Sequence, residues 1–257
     1  MAVLAHPDDE SLGFGGTLAK YAAEGVAVSL ITATRGDRGR FHGAPPGDPR
    51  HPGADALAEL RERELRAAAA TLGVREVTVL GFGDQQVDCV KHDYAVARIG
   101  AELRRVRPDV VLTFGPDGAY GHPDHIAVSQ LTTAAVVAAA PAHAVSKLYY
   151  LAWPRSTWAA YEAAVRKLSC VVDGVERQTS AWPDWAITTA IDTREVWPTV
   201  WEAVSCHASQ LAAYASLKAL APEQHEALWG QQSFYRAFST ANGGRVRETD
   251  LFEGLER

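Results

Sequence analysis

The sequence of 257 residues has little cysteine and no long hydrophobic segment. Its three cysteines, Cys89, Cys170 and Cys206, are widely spaced, which excludes a CxxC zinc or redox motif. Scattered thiols fit a reducing compartment. The longest apolar run, Ala134–Pro141, is far shorter than the roughly 20 residues that span a bilayer. No basic region followed by an apolar core opens the chain, so no signal peptide is expected. These absences predict a cytoplasmic protein without a membrane segment.

The sequence also lacks an excess of basic residues. Its 25 Lys and Arg are outnumbered by 31 Asp and Glu, which gives a net charge of −6. This balance argues against a nucleic-acid-binding protein and against attraction to an anionic membrane surface. Hydrophobic residues make up 47% and charged residues 22%, as in ordinary globular proteins. We therefore expect a single domain over residues 1–257; a homo-oligomer is compatible with the sequence, which specifies no oligomeric state.

The first 150 residues alternate between short apolar runs and longer amphipathic stretches. This alternation indicates βαβ units and a parallel sheet that is covered by helices on both faces. After Leu151 the pattern weakens, and residues 151–257 are expected to form an extension that shapes the substrate pocket. The predicted strands are Val3–Ala5, Val26–Ala33, Glu76–Leu80, Asp109–Phe114, Lys147–Leu151 and Ala186–Ile191, and the predicted helices are Leu12–Glu24, Ala56–Leu72, Tyr94–Arg105, Pro123–Ala140 and Glu195–Ala221.

Four loops follow predicted strands, at residues 5–11, 34–55, 81–92 and 115–125. Ligands of open parallel sheets bind at the carboxyl ends of the strands, so these loops should build the functional site. The segment 34–55 is rich in Gly, Pro and Arg and is too long for a simple connection, which is typical of a binding loop.

The tripeptide His-Pro-Asp occurs in two of these loops, as His6-Pro7-Asp8 and as His122-Pro123-Asp124. Random shuffling of this composition would give only about 0.03 copies, so the repetition carries information beyond that of a short motif. Acidic residues and proline also suit the first turn of a helix, which would be a purely structural explanation. Two copies at two predicted strand ends favour the functional interpretation.

The two motifs carry a set of side chains that suits a hydrolytic metal site. Such a site needs three protein ligands and an open position, and His6, Asp9 and His125 can supply two imidazoles and one carboxylate. Asp8, next to a ligand, is placed to take a proton from water. His122 lies three residues before His125, and as an imidazolium it could stabilise an oxyanion.

Asp124 is predicted to act on that imidazolium. Its carboxylate could hydrogen-bond one ring nitrogen of His122, which would orient the ring and raise its pKa.

At this point the sequence resembles the PIG-L or LmbE-like deacetylases, including those of mycothiol and bacillithiol biosynthesis. The strings Ala5-His6-Pro7-Asp8-Asp9-Glu10 and Tyr120-Gly121-His122-Pro123-Asp124-His125 are near-complete family motifs. Further likeness lies in Arg61-Glu62-Arg63-Glu64, Gly83-Asp84, His207-Ala208-Ser209-Gln210 and Glu248-Thr249-Asp250-Leu251-Phe252. The likeness spans most of the chain and is dense before residue 130.

The resemblance implies a Rossmann-like α/β hydrolase that removes the acetyl group from an N-acetylglucosamine-type conjugate. His6, Asp9 and His125 would bind zinc, with ferrous iron as the alternative metal. Asp8 would be the general base, while His122, tuned by Asp124, and Tyr120 would act on the acetamide carbonyl. Arg61 and Asp84 would hold sugar hydroxyls. Asp37 stands where the family commonly has glutamate, so its sugar contact is the weakest of these assignments. The resemblance assigns no role to the segment His207–Gln210.

Two other functions are compatible with the same residues. A non-haem Fe(II) oxygenase also uses two histidines and a carboxylate, but it does not need Asp8. A non-catalytic sugar-binding protein on the same scaffold would need neither Asp8 nor His122. The sequence contains no GxxxxGK[ST], GxSxG or HExxH motif, which removes the corresponding nucleotide, serine-hydrolase and zincin sites.

Overall fold

Seven strands form one mixed sheet in the part of the chain that the structure describes. The structure is a computed structural model that describes residues 1–165, 169–172, 174–213, 215–244 and 246–256. The strands are β1 (Ala2–Leu4), β2 (Ser29–Thr34), β3 (Glu76–Phe82), β4 (Val110–Phe114), β5 (Lys147–Leu151), β6 (Cys170–Val172), β7 (Val175–Arg177), β8 (Thr189–Asp192) and β9 (Gln231–Ser239), of which β6 and β7 form a separate hairpin.

The order of strands in the sheet is β3-β2-β1-β4-β5-β9-β8. Strands β1 to β5 are parallel, and β9 is antiparallel to both of its neighbours. The predicted α/β fold with a mostly parallel sheet is confirmed. Strands β2 and β3 lie on one side of β1, whereas β4 and β5 lie on the other. This reversal opens a crevice beyond the carboxyl ends of β1 and β4, where ligands of such sheets bind.

Helices cover the sheet on both sides. Helices α2, α3 and α8 pack together, and α4 packs on α6. No helix among the described residues is both long and apolar enough to cross a membrane. The helices are α1 (Asp9–Leu12), α2 (Gly15–Ala23), α3 (Ala54–Thr71), α4 (His92–Val106), α5 (Gly118–Gly121), α6 (Pro123–Ala139), α7 (Arg155–Val165), α8 (Trp197–Cys206), α9 (Ala215–Lys218) and α10 (Pro222–Trp229).

Local sequence explains the central elements. Every residue of β2 and β4 is buried, as expected for strands that helices cover on both faces. Helix α3 buries Leu57, Leu65 and Ala68 along one face. It ends just before Gly73, whose φ of +74° lies in the left-handed region where glycine commonly stops a helix.

The C-terminal part differs from the sequence prediction. The helix predicted over Glu195–Ala221 ends at Cys206 and is followed by turns, and the structure has a nine-residue strand, β9, that was not predicted. Strand β9 buries Gln232, Ser233 and Arg236, so its sequence lacks the apolar alternation of an ordinary strand. Strands from both halves of the chain share one sheet, which is the arrangement expected of the predicted single domain.

A buried ionic network joins β5 to the C-terminal segment. The Lys147 ammonium lies 2.7 Å from Glu248, and both side chains are at most 1% exposed. Glu248 also accepts hydrogen bonds from Tyr149, Thr189 and Asn242 and lies 2.9 Å from the Arg236 guanidinium. A buried charge is costly without partners, so the five donors hold this carboxylate in place.

We expect replacements of Glu248 and of Lys147 to lower the unfolding free energy by different amounts. Replacing Glu248 with glutamine leaves Lys147 and Arg236 buried beside each other, and we expect a loss of about 3–5 kcal/mol of unfolding free energy. Replacing Lys147 with methionine leaves Glu248 with its other donors, and the expected loss is about 1.5–3 kcal/mol. Urea unfolding of both variants measures the difference. An equal loss in both variants would contradict this account of the network.

The same carboxylate makes stability depend on pH. Burial alone would raise the pKa of Glu248, but hydrogen bonds from Lys147, Asn242, Thr189 and Tyr149 outweigh it and lower the pKa to about 2. The stabilisation is therefore complete above the pKa of an unfolded glutamate, about 4.3, and is lost as the pH falls towards 2. Between those values the unfolding free energy of Glu248→Gln should fall less steeply with pH than that of the wild type.

Candidate metal centre and active site

The three side chains predicted as metal ligands meet at the crevice beside β1 and β4. His6 and Asp9 follow β1, and His125 lies in the first turn of α6. Nδ1 of His6 lies 3.2 Å from Nε2 of His125. The Asp9 carboxylate lies 3.6 Å from His6 Nδ1 and 3.3 Å from His125 Nε2. All three residues are buried, so the donors face one small volume.

The chemistry of this donor set fits a divalent metal ion. Ligands about 2.1 Å from a tetrahedral ion lie about 3.4 Å apart, which agrees with the three separations. Asp8, Asp84 and Asp124 add negative charge around the donors, and all three are buried. The ring nitrogens of His6, His122 and His125 also lie within 4.8 Å of one another, so His122 faces the same volume.

Each His-Pro-Asp motif places its residues through the start of a helix. In the first motif, the Asp9 carboxylate accepts the backbone N–H of His6 at 2.7 Å. In the second, Pro123 opens α6, and Nδ1 of the preceding His122 accepts the backbone N–H of Asp124 at 3.2 Å. The structural explanation of these motifs therefore holds, and the same residues also face the proposed metal site.

The second nitrogen of His6 is held by carboxylates. Nε2 lies 2.9 Å from Asp124 and 3.3 Å from Asp84. Burial opposes charge on His6, but its hydrogen bonds to Asp124, Asp84 and Asp9 raise its pKa. A metal-binding histidine commonly donates its other N–H to a carboxylate, which fixes the ring and turns the free nitrogen to the ion.

The prediction that the Asp124 carboxylate bonds the His122 ring is corrected. It bonds His6 instead, and it also accepts the backbone N–H groups of Gln85 and Val87 at 2.7 and 3.1 Å. The surroundings also disfavour the expected imidazolium at His122. Burial, and then the neighbouring His6 and His125, lower the pKa of His122 to about 3, which favours the neutral ring.

Asp8 is held in a backbone conformation that side chains rarely adopt. Its φ is 110° and its ψ is −25°. Glu10 accepts its backbone N–H at 2.9 Å, and the Arg61 guanidinium lies 3.0 Å from its carboxylate. Arg61 also donates to the carbonyl of Gly36 at 2.9 Å and is only 4% exposed. Arg61 is therefore a buried partner of Asp8 and not a solvated helix residue.

Tyr120 lies in α5, a four-residue turn whose backbone is strained. Ala119, just before it, has φ 63° and ψ −65°, outside the helical region. The Thr179 hydroxyl donates to the carbonyl of Ala119 at 2.8 Å, and the Trp182 indole donates to Asp117 at 3.1 Å. These two bonds from the C-terminal part fix the turn, and Tyr120 reaches within 5.2 Å of the His125 ring, centroid to centroid.

A cavity of about 420 Å³ opens onto these side chains. Arg61 and Asp84, predicted to bind substrate, line it, although Asp84 is already engaged with His6 and with the backbone N–H of Arg38. Asp37 is half-buried and lies outside the described lining, so the structure does not bring it to the cavity. The cavity is lined by His6, Asp8, Asp9, Leu12, Gly13, Gly39, Arg61, Asp84, Gln85, Phe114, Ala119, Tyr120, His122, His125, Leu151, Trp153, Tyr161, Ser169, Gln210, Ala213 and Leu217.

Two further contacts link the C-terminal half to the site, and sequence reasoning did not find them. Nε2 of His207 lies 2.7 Å from the Glu10 carboxylate, and neither residue is exposed. Burial lowers the pKa of His207, but Glu10 outweighs it and the net pKa is raised. Ser209 donates its backbone N–H and its hydroxyl to Glu64, both at 2.7 Å. The sequence signal that could have pointed to these contacts is the likeness to the family at His207–Gln210.

Comparison with known proteins identifies a family and a relative. The sequence profile of the PIG-L family, described as GlcNAc-PI de-N-acetylase, matches residues 1–136. The 1D-myo-inositol 2-acetamido-2-deoxy-alpha-D-glucopyranoside deacetylase of Rhodococcus jostii is 34% identical to this chain over 287 residues. That alignment covers 99% of this chain and 97% of the relative.

Two solved structures share the fold. GalB, the 4-carboxy-2-hydroxymuconate hydratase of Pseudomonas putida, has a TM-score of 0.66 at 19% identity, with 95% of this chain and 97% of GalB covered. The N,N'-diacetylchitobiose deacetylase of Pyrococcus horikoshii has a TM-score of 0.60 at 18% identity, with 91% and 83% covered. One is a hydratase and the other a deacetylase, so this fold alone does not decide the reaction.

Proposed function

The chain belongs to the PIG-L family of de-N-acetylases, and from that premise we propose that it is a metal-dependent N-deacetylase of an N-acetylglucosamine-type conjugate. The supporting observation is the convergence of His6, Asp9 and His125 beside Asp8 at the mouth of one cavity. A binding site would not need a carboxylate held next to a metal site by a strained backbone. The reaction is hydrolysis of an amide to acetate and an amine.

His6, Asp9 and His125 would hold the metal. Bound there, a divalent ion supplies a Lewis acid that polarises water and the amide carbonyl. We propose zinc, because two imidazoles and one carboxylate with an open position form a catalytic zinc site. Asp124 and Asp84 hold Nε2 of the His6 ring, which leaves Nδ1 on the side of Asp9 and His125, where it would bind a metal.

Asp8 is the proposed general base. Its carboxylate takes a proton from the attacking water and passes the same proton to the leaving amine, so no proton is gained or lost overall. Arg61, 3.0 Å away, lies against this carboxylate and keeps it directed at the cavity. Arg61 is already bonded to Asp8 and to Gly36, which favours a positioning role over the predicted sugar contact.

His122 is proposed to stabilise the oxyanion as a neutral donor. Its Nδ1 accepts the backbone N–H of Asp124, so the proton of the neutral ring resides on Nε2. An N–H group aimed at the developing oxyanion is worth about 10²–10³ in kcat at comparable sites. Tyr120 lines the same cavity, and its hydroxyl is proposed as the second donor to the carbonyl. Burial raises the pKa of Tyr120, so it stays protonated.

The substrate is proposed to be a small amino-sugar conjugate. The relative from Rhodococcus jostii is named for a glucosaminide of myo-inositol, which makes that compound the first to test. Asp84, which lines the cavity, remains a proposed sugar contact, whereas Asp37 does not line it and is no longer proposed as one. We also propose a cytoplasmic location, in keeping with the free thiols of Cys170 and Cys206.

Release of acetate tests the proposed function. Metal-loaded protein is incubated with the N-acetylglucosaminide of myo-inositol, N,N'-diacetylchitobiose and free N-acetylglucosamine, and both acetate and free amine are quantified. We expect stoichiometric release from at least one conjugate and none after removal of the metal by a chelator. No release from any compound by protein with bound metal contradicts the proposal. Oxygen consumption with Fe(II) and a 2-oxo acid would instead favour the oxygenase alternative.

A further inference from the structure

We propose that His207 is a positioning residue, which holds the Asp8 base in place through the buried carboxylate of Glu10. The inference rests on the proposed function, because it concerns the base of that reaction. It assigns a role to the His207–Gln210 segment, which contributes Gln210 to the cavity lining and otherwise lies behind the site.

The first step is the contact between Glu10 and Asp8. Asp8 has a φ of 110°, which costs a side-chain-bearing residue about 1–3 kcal/mol and persists only where the surroundings enforce it. Oε2 of Glu10 accepts the backbone N–H of Asp8 at 2.9 Å. Glu10 on the N–H of Asp8 and Arg61 on the carbonyl oxygen of Pro7 together fix the peptide that turns the Asp8 carboxylate towards the cavity.

The second step is the contact between His207 and Glu10. The other carboxylate oxygen, Oε1, lies 2.7 Å from Nε2 of His207 and accepts the Ser11 hydroxyl at 2.6 Å. Both Glu10 and His207 are completely buried. A buried carboxylate that loses an N–H partner turns away or shifts towards its remaining donor. Either response removes or weakens the acceptor of the Asp8 N–H group.

The same segment also contacts α3, the helix that carries Arg61. Ser209 donates twice to Glu64, which lies one helical turn from Arg61 on α3. Arg61 in turn lies 3.0 Å from the Asp8 carboxylate. The segment that follows α8 therefore contacts Glu10, which binds the Asp8 backbone, and also contacts the helix that carries Arg61, which binds the Asp8 side chain.

The test compares His207→Leu with His207→Gln. Leucine removes the donor to Glu10, and we expect kcat to fall about 10–100-fold, because small misplacements of a catalytic group have effects of this size. KM and bound metal should stay near the wild-type values. Glutamine can still donate to Glu10 and should restore most of kcat. The variant Lys147→Met is the control, because it breaks a buried ion pair remote from the site and should lower stability without lowering kcat.

A double variant separates positioning from general structural damage. If His207 acts through Asp8, Asp8→Asn with His207→Leu should be no slower than Asp8→Asn alone, since neighbouring effects on one group do not add. The inference is overturned if the loss of kcat in the double variant equals the product of the two single losses, or if His207→Leu keeps full kcat. Neither result contradicts the deacetylase function. Wild-type protein that releases no acetate contradicts the deacetylase function instead.

A crystal structure of His207→Leu gives a readout that does not depend on activity. We expect the Glu10 carboxylate to leave the Asp8 N–H group and the φ of Asp8 to shift. An unchanged Asp8 in that structure overturns the inference. If leucine prevents folding, the same comparison is made with His207→Gln, in which a retained Glu10–Asp8 contact is expected.

Discussion

Asp8→Asn should lower kcat by about 10²–10⁴-fold while the protein still binds one equivalent of metal. Asparagine keeps the size and the hydrogen-bonding reach of the side chain but cannot take up a proton at neutral pH. The expected loss is that of a positioned general base. The ligands His6, Asp9 and His125 are untouched, so metal binding should persist. Steady-state kinetics and elemental analysis of the same preparation measure both quantities.

The matched control for this variant is Asp93→Asn. Asp93 is a fully exposed acidic residue in the first turn of α4, remote from the cavity lining. Its replacement changes the net charge by the same amount and should leave kcat unchanged. An Asp8→Asn enzyme with more than about a tenth of wild-type kcat would show that another group is the base.

His125→Ala is expected to abolish tight metal binding. The variant removes one of three protein donors, and loss of a mere hydrogen-bonding partner of a ligand already costs about 10–100-fold in affinity. We therefore expect more than a hundredfold weaker binding and no detectable acetate release. Titration calorimetry with Zn²⁺ at fixed pH measures the affinity, because proton release makes the apparent value pH-dependent.

The control for this variant is His92→Ala. The His92 side chain is 65% exposed at the start of α4, so it offers a comparable imidazole outside the site. Its removal should change neither metal stoichiometry nor turnover. If His125→Ala keeps wild-type affinity, the ring nitrogens of His6 and His122 must hold the ion without it, and the ligand assignment fails.

The parts of the site that could be predicted from the sequence are those that lie between a strand and the following helix. Ala5–Asp9 directly follows β1, and His122–His125 opens the helix after the neighbouring strand β4. Parallel topology brings such segments to the same edge of the sheet. The fold of residues 1–150 was predictable for the same reason, because buried strands such as β2 read as apolar runs.

The partners of the catalytic groups were not predictable in this way. Asp124 can reach either His122 or His6, and only the packing of α6 against β1 selects His6, 118 residues away. The contact between Glu10 and His207 spans 197 residues and leaves no local pattern. Strand β9 was missed because its buried Arg236 and Gln232 are paired by tertiary contacts that a single segment does not reveal.

The position of β9 inside the sheet determines where the chain can be truncated. A fragment that ends after β5 would carry every proposed metal donor, yet the hydrogen-bonding edge of β5 that pairs with β9 would be open to solvent. Lys147 would also lose Glu248, its partner 101 residues later. Open edges pair with other chains, so such a fragment should aggregate during expression. We therefore expect that the first half of the chain does not fold on its own, and that a truncation series gives no soluble product until the chain includes β9.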